Sequence, residues 1–320
     1  MTARVSVIIP SFNHAPFVAQ SIRSVLDQSF QDFEIVITDD RSSDETVDVI
    51  RTFRDPRIDL EVSPVNRGAA AAENAAISRS RGEFIAILSS DDYFLPEKLA
   101  MQVWFLDEHP DVAAVFGLPR RVDERGNPLA GLGEFTLPMG PHHQTRQDWL
   151  RVFFFAGNCL CHPTVLIRRT AFDDCGLYDP RLASVPDFEM WVRLALRHQI
   201  HVLQRELTAF RLLDGGRNES APNPRRARRA QFEMFQVLKH FRKLSADEIR
   251  SIFAAEIARF EIDPSQSAGP LLAELASHGP TPSHQLFALD TLFEAAQSAE
   301  HFDYTRLHQM ALNLNPFGFK

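Results

Sequence analysis

The chain predicts an α/β fold: a mainly parallel sheet flanked by helices, followed by an all-helical C-terminal region. Three observations carry that prediction. Short apolar runs alternate with helix-like segments through the first third, the pattern of a parallel sheet covered on both faces. Two of those runs lead into acidic pairs, Asp39-Asp40 directly and Asp91-Asp92 after Ser89-Ser90. Beyond residues 214–224, a stretch of Gly, Asn and Pro that reads as a linker, every periodic segment has the helical repeat. These place a sheet domain at residues 1–214 and a helical region at 215–320.

The elements follow in order. Val5-Ser6-Val7-Ile8-Ile9 reads as a strand stopped by Pro10, and a helix over about 16–28 puts Val18, Ile22, Val25 and Leu26 on one face. A second strand covers 33–38. Ser42 then reads as the cap of a helix, with Glu45 at the capping-box position. A strand at 58–62 precedes a small-residue helix at 69–80. The run Phe84-Ile85-Ala86-Ile87-Leu88 is a buried strand, followed by a helix at 96–108 and a strand at 112–116. Residues 117 to about 147 read as loops with short strands. A strand at 164–167, a strong helix at 187–197 and two short strands at 201–204 and 207–211 close the sheet domain. Helices are expected at about 225–242, 245–260, 271–276, 283–299 and 304–313, with Ser245 and Glu248 as a capping box. Phe232, Phe235, Leu238 and Phe241 recur as a packing face.

Composition narrows the function. With 320 residues and 44% hydrophobic content, the chain can bury substantial cores. A formal charge of −8 argues against general nucleic-acid binding, which needs a basic stripe. Three cysteines, at 159, 161 and 175, exclude a full disulfide framework and favour a reduced setting. Cys159, Cys161 and His162 match no common zinc spacing and read as buried small side chains. No apolar stretch approaches the roughly 20 residues that cross a bilayer. Met1-Thr2-Ala3-Arg4 leads straight into a strand, which predicts no signal peptide and a cytoplasmic protein.

The chemistry concentrates at strand ends. In open α/β sheets ligands bind beyond the carboxyl edge of the strands, where Asp39-Asp40, Asn66-Arg67-Gly68 and Asp91-Asp92 fall, and Asp187 heads a later helix. Adjacent carboxylates repel unless a cation joins them, so a hard divalent ion with positions left for phosphate oxygens suits Asp91 and Asp92. A turn with an Asp cap ahead of Pro96 would use the same residues. Neither a GxGxxG after the first strand nor a GxxxxGK[ST] loop occurs, which argues against dinucleotide and ATP-loop enzymes. Ser11-Phe12-Asn13-His14-Ala15 is not the basic glycine-rich loop of a nucleotidyltransferase.

Residues 5–13, 35–44, 66–68, 82–99 and 186–191 together resemble the family 2 glycosyltransferases of the GT-A fold, and the likeness runs from residue 3 to about 212 in order and spacing. The resemblance implies inverting transfer of a sugar from a nucleotide diphosphate donor, with a UDP-sugar favoured, to a saccharide, glycolipid or other hydroxyl acceptor in cell-surface polysaccharide or glycolipid synthesis. It implies nucleoside contacts by Pro10, Phe12, Asp39, Asp40 and Arg67, Asp91 near the ribose, Asp92 as the ligand of Mg2+ or Mn2+, and Asp187 as the acceptor-activating base. Three departures stand out: Ser89 where many relatives carry Asp, Pro186 where they carry Glu, and no His after Phe210-Arg211. They keep open a non-catalytic sugar-nucleotide-binding or scaffold subunit with a degenerate GT-A site.

The remaining residues have plainer readings. Trp191 belongs to the core rather than to a sugar platform, and His142, His143 and His162 read as surface or hydrogen-bonded side chains. Arg225, Arg226, Arg228 and Arg229 head the first C-terminal helix. They suit either peripheral contact with the inner face of a membrane or a solvated face answering nearby acids, and the second reading is favoured.

Overall fold

A computed structural model describes residues 3–131, 135–137, 144–216, 218, 224–298 and 304–314, with the side chains of Arg225 and Arg306 left aside. His142 and His143 lie outside the described residues, as does most of the 214–224 linker. The chain forms two units, Met1–Arg146 with Asn158–Ala221 and Gln147–Gly157 with Pro222–Lys320. The division is therefore not the single cut at 214: residues 147–157 join the helical unit.

The strands are β1 (Val5–Ser11), β2 (Phe33–Asp39), β3 (Ile58–Val62), β4 (Phe84–Ile87), β5 (Tyr93–Phe94), β6 (Val112–Val122), β7 (Leu166–Arg168) and β8 (Gln199–Arg211). The helices are α1 (Val18–Leu26), α2 (Thr46–Arg51), α3 (Ala69–Arg79), α4 (Lys98–Glu108), α5 (Arg146–Phe155), α6 (Arg169–Cys175), α7 (Pro186–Arg197), α8 (Pro224–Leu238), α9 (Ala246–Ile252), α10 (Ala254–Arg259), α11 (Ala268–Ser277), α12 (Pro282–Ser298) and α13 (Tyr304–Asn313).

Among the described residues the sheet has eight strands in the order β3-β2-β1-β4-β7-β6-β8-β5. β1 to β4 pair in parallel, as strand–helix–strand alternation requires. Past β4 the sheet is mixed. β7 runs antiparallel to both β4 and β6, β5 runs antiparallel to β8, and β6 and β8 are parallel. The expected short strands at 201–204 and 207–211 are one strand. Its polar middle, Gln204-Arg205-Glu206, is exposed and lies where the pairing with β6 shifts register, so it resembles a turn in sequence.

The core of this unit lies between the sheet and its helices. Val7, Ile9, Ile35, Ile37, Phe84, Ala86 and Leu88 pack with Val18, Ile22 and Val25 of α1 and Leu99 and Leu106 of α4. Each Val, Leu, Ile or Phe among them contributes about 1.5–3 kcal/mol when fully buried. The alanines of α3 let that helix approach β1 and β2 closely, and Ala72 and Ala76 are buried there. The register sets Ser11 opposite Asp39, and Asp39 opposite Val62, so the functional loops leave the same edge of the sheet.

In the helical unit Phe154 of α5 is central. Its ring meets Phe241 and Phe253 at 5.0 Å each and Phe287 at 6.4 Å, all with inclined planes. The ring of His284 bonds the Phe154 carbonyl through Nε2 at 2.5 Å. Ser245 caps α9 with the expected capping box to Glu248. The expected helix over 245–260 breaks at Phe253, and that over 225–242 tightens into a 3₁₀ turn at Lys239–Lys243. Phe235, Leu238 and Phe241 are buried as expected. Phe232 is not; it is 61% exposed. No helix among the described residues is long and apolar enough to cross a membrane.

Candidate functional site

The loop after β2 is built by its own acids. Asp39 is fully buried and accepts from the Ser42 amide through Oδ1 at 2.8 Å and from the Ser42 hydroxyl through Oδ2 at 2.6 Å. This overturns the expected helix cap at Ser42. Its hydroxyl oxygen binds Asp39 and accepts from the Asn13 amide, so α2 starts at Thr46 without a side-chain cap. Asn13 and Arg41 both hold positive φ, 53° and 63°. Asn tolerates that region, whereas Arg is held there by the bonds around it.

Asp40 works differently. Its carboxylate accepts the Arg67 amide at 2.9 and 3.0 Å and the Gly68 amide at 2.7 Å, tying the loop before α3 to the end of β2. Gly68 has φ 89°, a conformation that only glycine adopts without strain, and its amide is thereby turned toward Asp40. Arg67 leaves an exposed side chain beyond this anchor. Phe12 is 43% exposed at the end of β1, beside the half-buried Pro10.

The acid pair after β4 is clamped from three sides. From α1, Ser21 donates its hydroxyl to the carbonyls of Ser90 and Asp92. From the loop after β1, His14 Nδ1 bonds the Ser90 hydroxyl at 2.8 Å and lies 3.9 Å from Asp91 Oδ1. From the end of β8, the Arg211 amide donates to Asp92 Oδ1 at 2.7 Å and its Nε to the Asp91 carbonyl at 2.7 Å. The buried Arg211 guanidinium also donates to the Glu124 carbonyl and Gln20 Oε1, both at 2.7 Å, and stacks near Phe17 and Tyr93. Asp92 is 2% exposed, and its Oδ2 is buried without a hydrogen bond. Burial and the neighbouring Asp91 raise its pKa well above the ordinary carboxylate value, while Arg211 and the Ser89 hydroxyl act in the opposite direction.

Asp187 is held by a separate set of partners. Pro186 occupies the first turn of α7, where a missing N–H costs nothing. The buried face of that helix, Phe188, Met190, Trp191, Leu194 and Ala195, fixes it in the core, with Trp191 edge-on to Phe116 at 4.8 Å. Asp187 Oδ2 accepts from Asn158 Nδ2 at 2.9 Å. Burial pushes the Asp187 pKa up to about 6, against the lowering effect of the Phe188 amide and Asn158. Glu73 of α3 and Tyr178, which sequence patterns did not single out, interact electrostatically with it, and they lie with His162, a hydrogen-bonded side chain as expected. His162 Nε2 bonds the Tyr178 hydroxyl at 2.9 Å, and its Nδ1 is 3.8 Å from Glu73 Oε1.

These elements thus hold a carboxyl whose pKa is raised by burial, a buried carboxylate oxygen without a hydrogen bond, and a loop system tied together by acids. A family model described as "Glycosyl transferase family 2" matches residues 6–176. The chain belongs to glycosyl transferase family 2. Family relatives include an "Uncharacterized glycosyltransferase" of Rickettsia bellii, 29% identical over 69% of this chain and 30% of that protein. A UDP-Glc:alpha-D-GlcNAc-diphosphoundecaprenol beta-1,3-glucosyltransferase of Escherichia coli is 42% identical over 31% of this chain and 39% of its own length. The chain therefore spans about a third of the length of these two relatives.

The solved structure of S. aureus TarS 1-349 with UDP-GlcNAc superposes with a TM-score of 0.63 at 19% identity, covering 90% of this chain and 84% of that one. The mannosyltransferase PcManGT of Pyrobaculum calidifontis, in complex with GDP-Man and Mn2+, gives 0.55 at 19% identity over 98% and 81%. These likenesses show the GT-A fold for this family 2 chain. Sequence reading missed Arg211, Asn158 and His14 as partners of the acids. Each lies far along the chain from the group it serves, and only the topology joins them. Residues 186–188 and 91–92 carried local signals because strand ends and helix starts are short-range features.

Proposed function

We propose that this chain is an inverting glycosyltransferase that moves a sugar from a nucleotide diphosphate donor, a UDP-sugar by preference, to an acceptor hydroxyl in cell-surface polysaccharide or glycolipid synthesis. The observation that carries the reading is Asp187: a carboxyl seated rigidly on α7 with its pKa raised to about 6, near the value a general base needs at neutral pH. Asp187 takes the proton of the acceptor hydroxyl as that oxygen attacks the anomeric carbon. Asn158 holds the carboxylate in place. The loops fixed by Asp39 and Asp40 receive the nucleoside between Phe12 and Arg67.

The acid pair fits Mg2+ or Mn2+. Asp92 Oδ2 is a buried hard oxygen with no partner, the ligand type such ions take. Among the described residues no group of three His, Cys, Asp or Glu side chains could hold a metal, so phosphate oxygens and water would complete the coordination. When bound, such an ion offsets charge on the departing nucleoside diphosphate. The E. coli relative's name, with its diphosphoundecaprenol acceptor, supports a lipid-linked acceptor here. For α8 the solvated reading is better supported than membrane contact, since Arg229 pairs with Glu233 at 3.6 Å.

The test is a thermal-shift screen of UDP- and GDP-sugars with and without Mn2+, followed by turnover of whichever donor stabilises the protein. Release of nucleoside diphosphate on addition of an acceptor supports the enzyme. Donor binding without any turnover would replace it with the scaffold reading.

A further inference from the structure

Glu73 has no part in the reading above. It sits on α3, 4% exposed, with Oε2 buried and without a hydrogen bond and Oε1 3.8 Å from His162 Nδ1. A carboxylate left bare in such a place is costly, so the group needs either a cation or a proton. No cation faces it. Burial drives the His162 pKa down to about 3, leaving a neutral ring bonded to the Tyr178 hydroxyl. Tyr178 stays protonated, its pKa raised by burial, Glu73 and Asp187, and Asn74 bonds both its amide and its carbonyl. The charge that does face Glu73 is the negative one on Asp187. On α7 itself the other carboxylate, Glu189, is tied bidentately to Arg193 at 2.7 Å through both oxygens.

We propose that Glu73 is a positioning residue of the acceptor-side centre: a buried second carboxyl that stays neutral, so that it and Asp187 do not carry charge together at neutral pH. Burial, then the Asp187 charge, push the Glu73 pKa up to about 8, while Asp187 ionises at about 6. At neutral pH one carboxyl is therefore a base and its neighbour is an acid. Two like charges in one water-poor pocket are disfavoured, so the pair loses its protons in separate steps. When Glu73 gives its proton to solvent at higher pH, the second charge repels Asp187 from its seat on Asn158. The inference rests on the glycosyl-transfer reading, and it predicts an alkaline limb that Asp187 alone would not produce.

The experiment compares the native chain with Glu73→Gln and Asp187→Asn by infrared spectroscopy, following the C=O stretch of protonated carboxylic acids between about pH 6 and pH 10. The native-minus-Glu73→Gln difference isolates Glu73 from Asp92, whose burial also favours its protonated form. A carboxylic acid signal present at pH 7 and lost near pH 8 is expected. In Asp187→Asn that loss should move down by about one pH unit or more, because the neighbouring charge is gone. If Glu73→Gln does not fold, the native and Asp187→Asn titrations decide the coupling alone. With the donor found by the sugar-nucleotide screen, the native pH profile should fall above about pH 8 and the Glu73→Gln profile should stay flat there. An ionised Glu73 at pH 7, an unmoved titration in Asp187→Asn, or an alkaline limb retained in Glu73→Gln would each overturn the proposal. Absence of turnover with every donor would instead count against glycosyl transfer, and the infrared titrations would still decide whether Glu73 and Asp187 are coupled.

Discussion

The Arg211 amide donates to Asp92 Oδ1 at 2.7 Å, joining residues 119 positions apart, while the Arg211 guanidinium holds the Asp91 carbonyl. One residue at the end of β8 thus fixes both acids after β4. Its side chain is buried and meets three acceptors, so Arg211→Ala leaves those acceptors and a cavity behind. A loss of about 3–5 kcal/mol is expected, the scale for removing one partner of a buried charged network. Urea unfolding measures it. A loss under about 1 kcal/mol would show that the clamp is dispensable.

Asp92 is buried with one oxygen unbonded, an arrangement that disfavours its charged form. Its folded pKa is raised, so its favourable contribution is present below the unfolded carboxyl value and is lost as pH rises through the folded one. Asp92→Asn removes that loss. The ligand-free variant is expected to be at least as stable as the native chain at pH 8, while Mn2+ no longer tightens donor binding. Calorimetry with and without Mn2+ reads the second effect, and equal metal-dependent binding in both proteins would remove Asp92 as the ligand.

Asp187→Asn keeps the shape and the contact to Asn158 but removes basicity. Transfer should fall by about 10²–10⁴-fold with donor affinity nearly unchanged. In the native chain only ionised Asp187 can accept a proton, so the rate is expected to fall about tenfold per pH unit below about pH 6. That acid limb should be missing from the residual activity of the variant. A native-like rate in Asp187→Asn would move the base elsewhere.

Asp40→Ala should act on the nucleotide through the backbone. The substitution frees the Arg67 and Gly68 amides, and the loop before α3 loses its anchor to β2. Binding of the nucleoside diphosphate product is expected to weaken by about 1–3 kcal/mol, the cost of unmade buried hydrogen bonds. Arg67→Ala should weaken it without disturbing the loop. Product affinity unchanged in both variants would take this loop out of the site.

The parallel half of the sheet could be read directly, because β1 to β4 alternate with helices, β1, β2 and β4 carry apolar runs, and β3 alternates apolar with polar residues. The mixed half could not. β7 enters between β4 and β6 in the reverse direction, and nothing local in Leu166-Ile167-Arg168 fixes that orientation. The acids Asp39, Asp91, Asp92 and Asp187 were visible because they terminate or open periodic segments. Glu73 was hidden for the opposite reason: it sits inside a helix of alanines, where a Glu reads as solvent-facing. Helix α5 was missed because Trp149, Phe153 and Phe154 follow a Gly- and Pro-rich stretch and the partners of Phe154 belong to the C-terminal helices.

That last point bears on modularity. Trp149, Leu150, Phe153 and Phe154 are fully buried, and the segment carrying them lies in the middle of the sequence while its unit is completed only after residue 222. The two units cannot be exchanged as cassettes by a single crossover at the linker. A chain ended there would leave Phe154 without the rings of Phe241, Phe253 and Phe287, and a helical region grafted onto another sheet would arrive without its central aromatic helix. Recombination between members with different C-terminal regions therefore has to carry residues 147–157 along, which ties the inheritance of the helical unit to that of the middle of the gene.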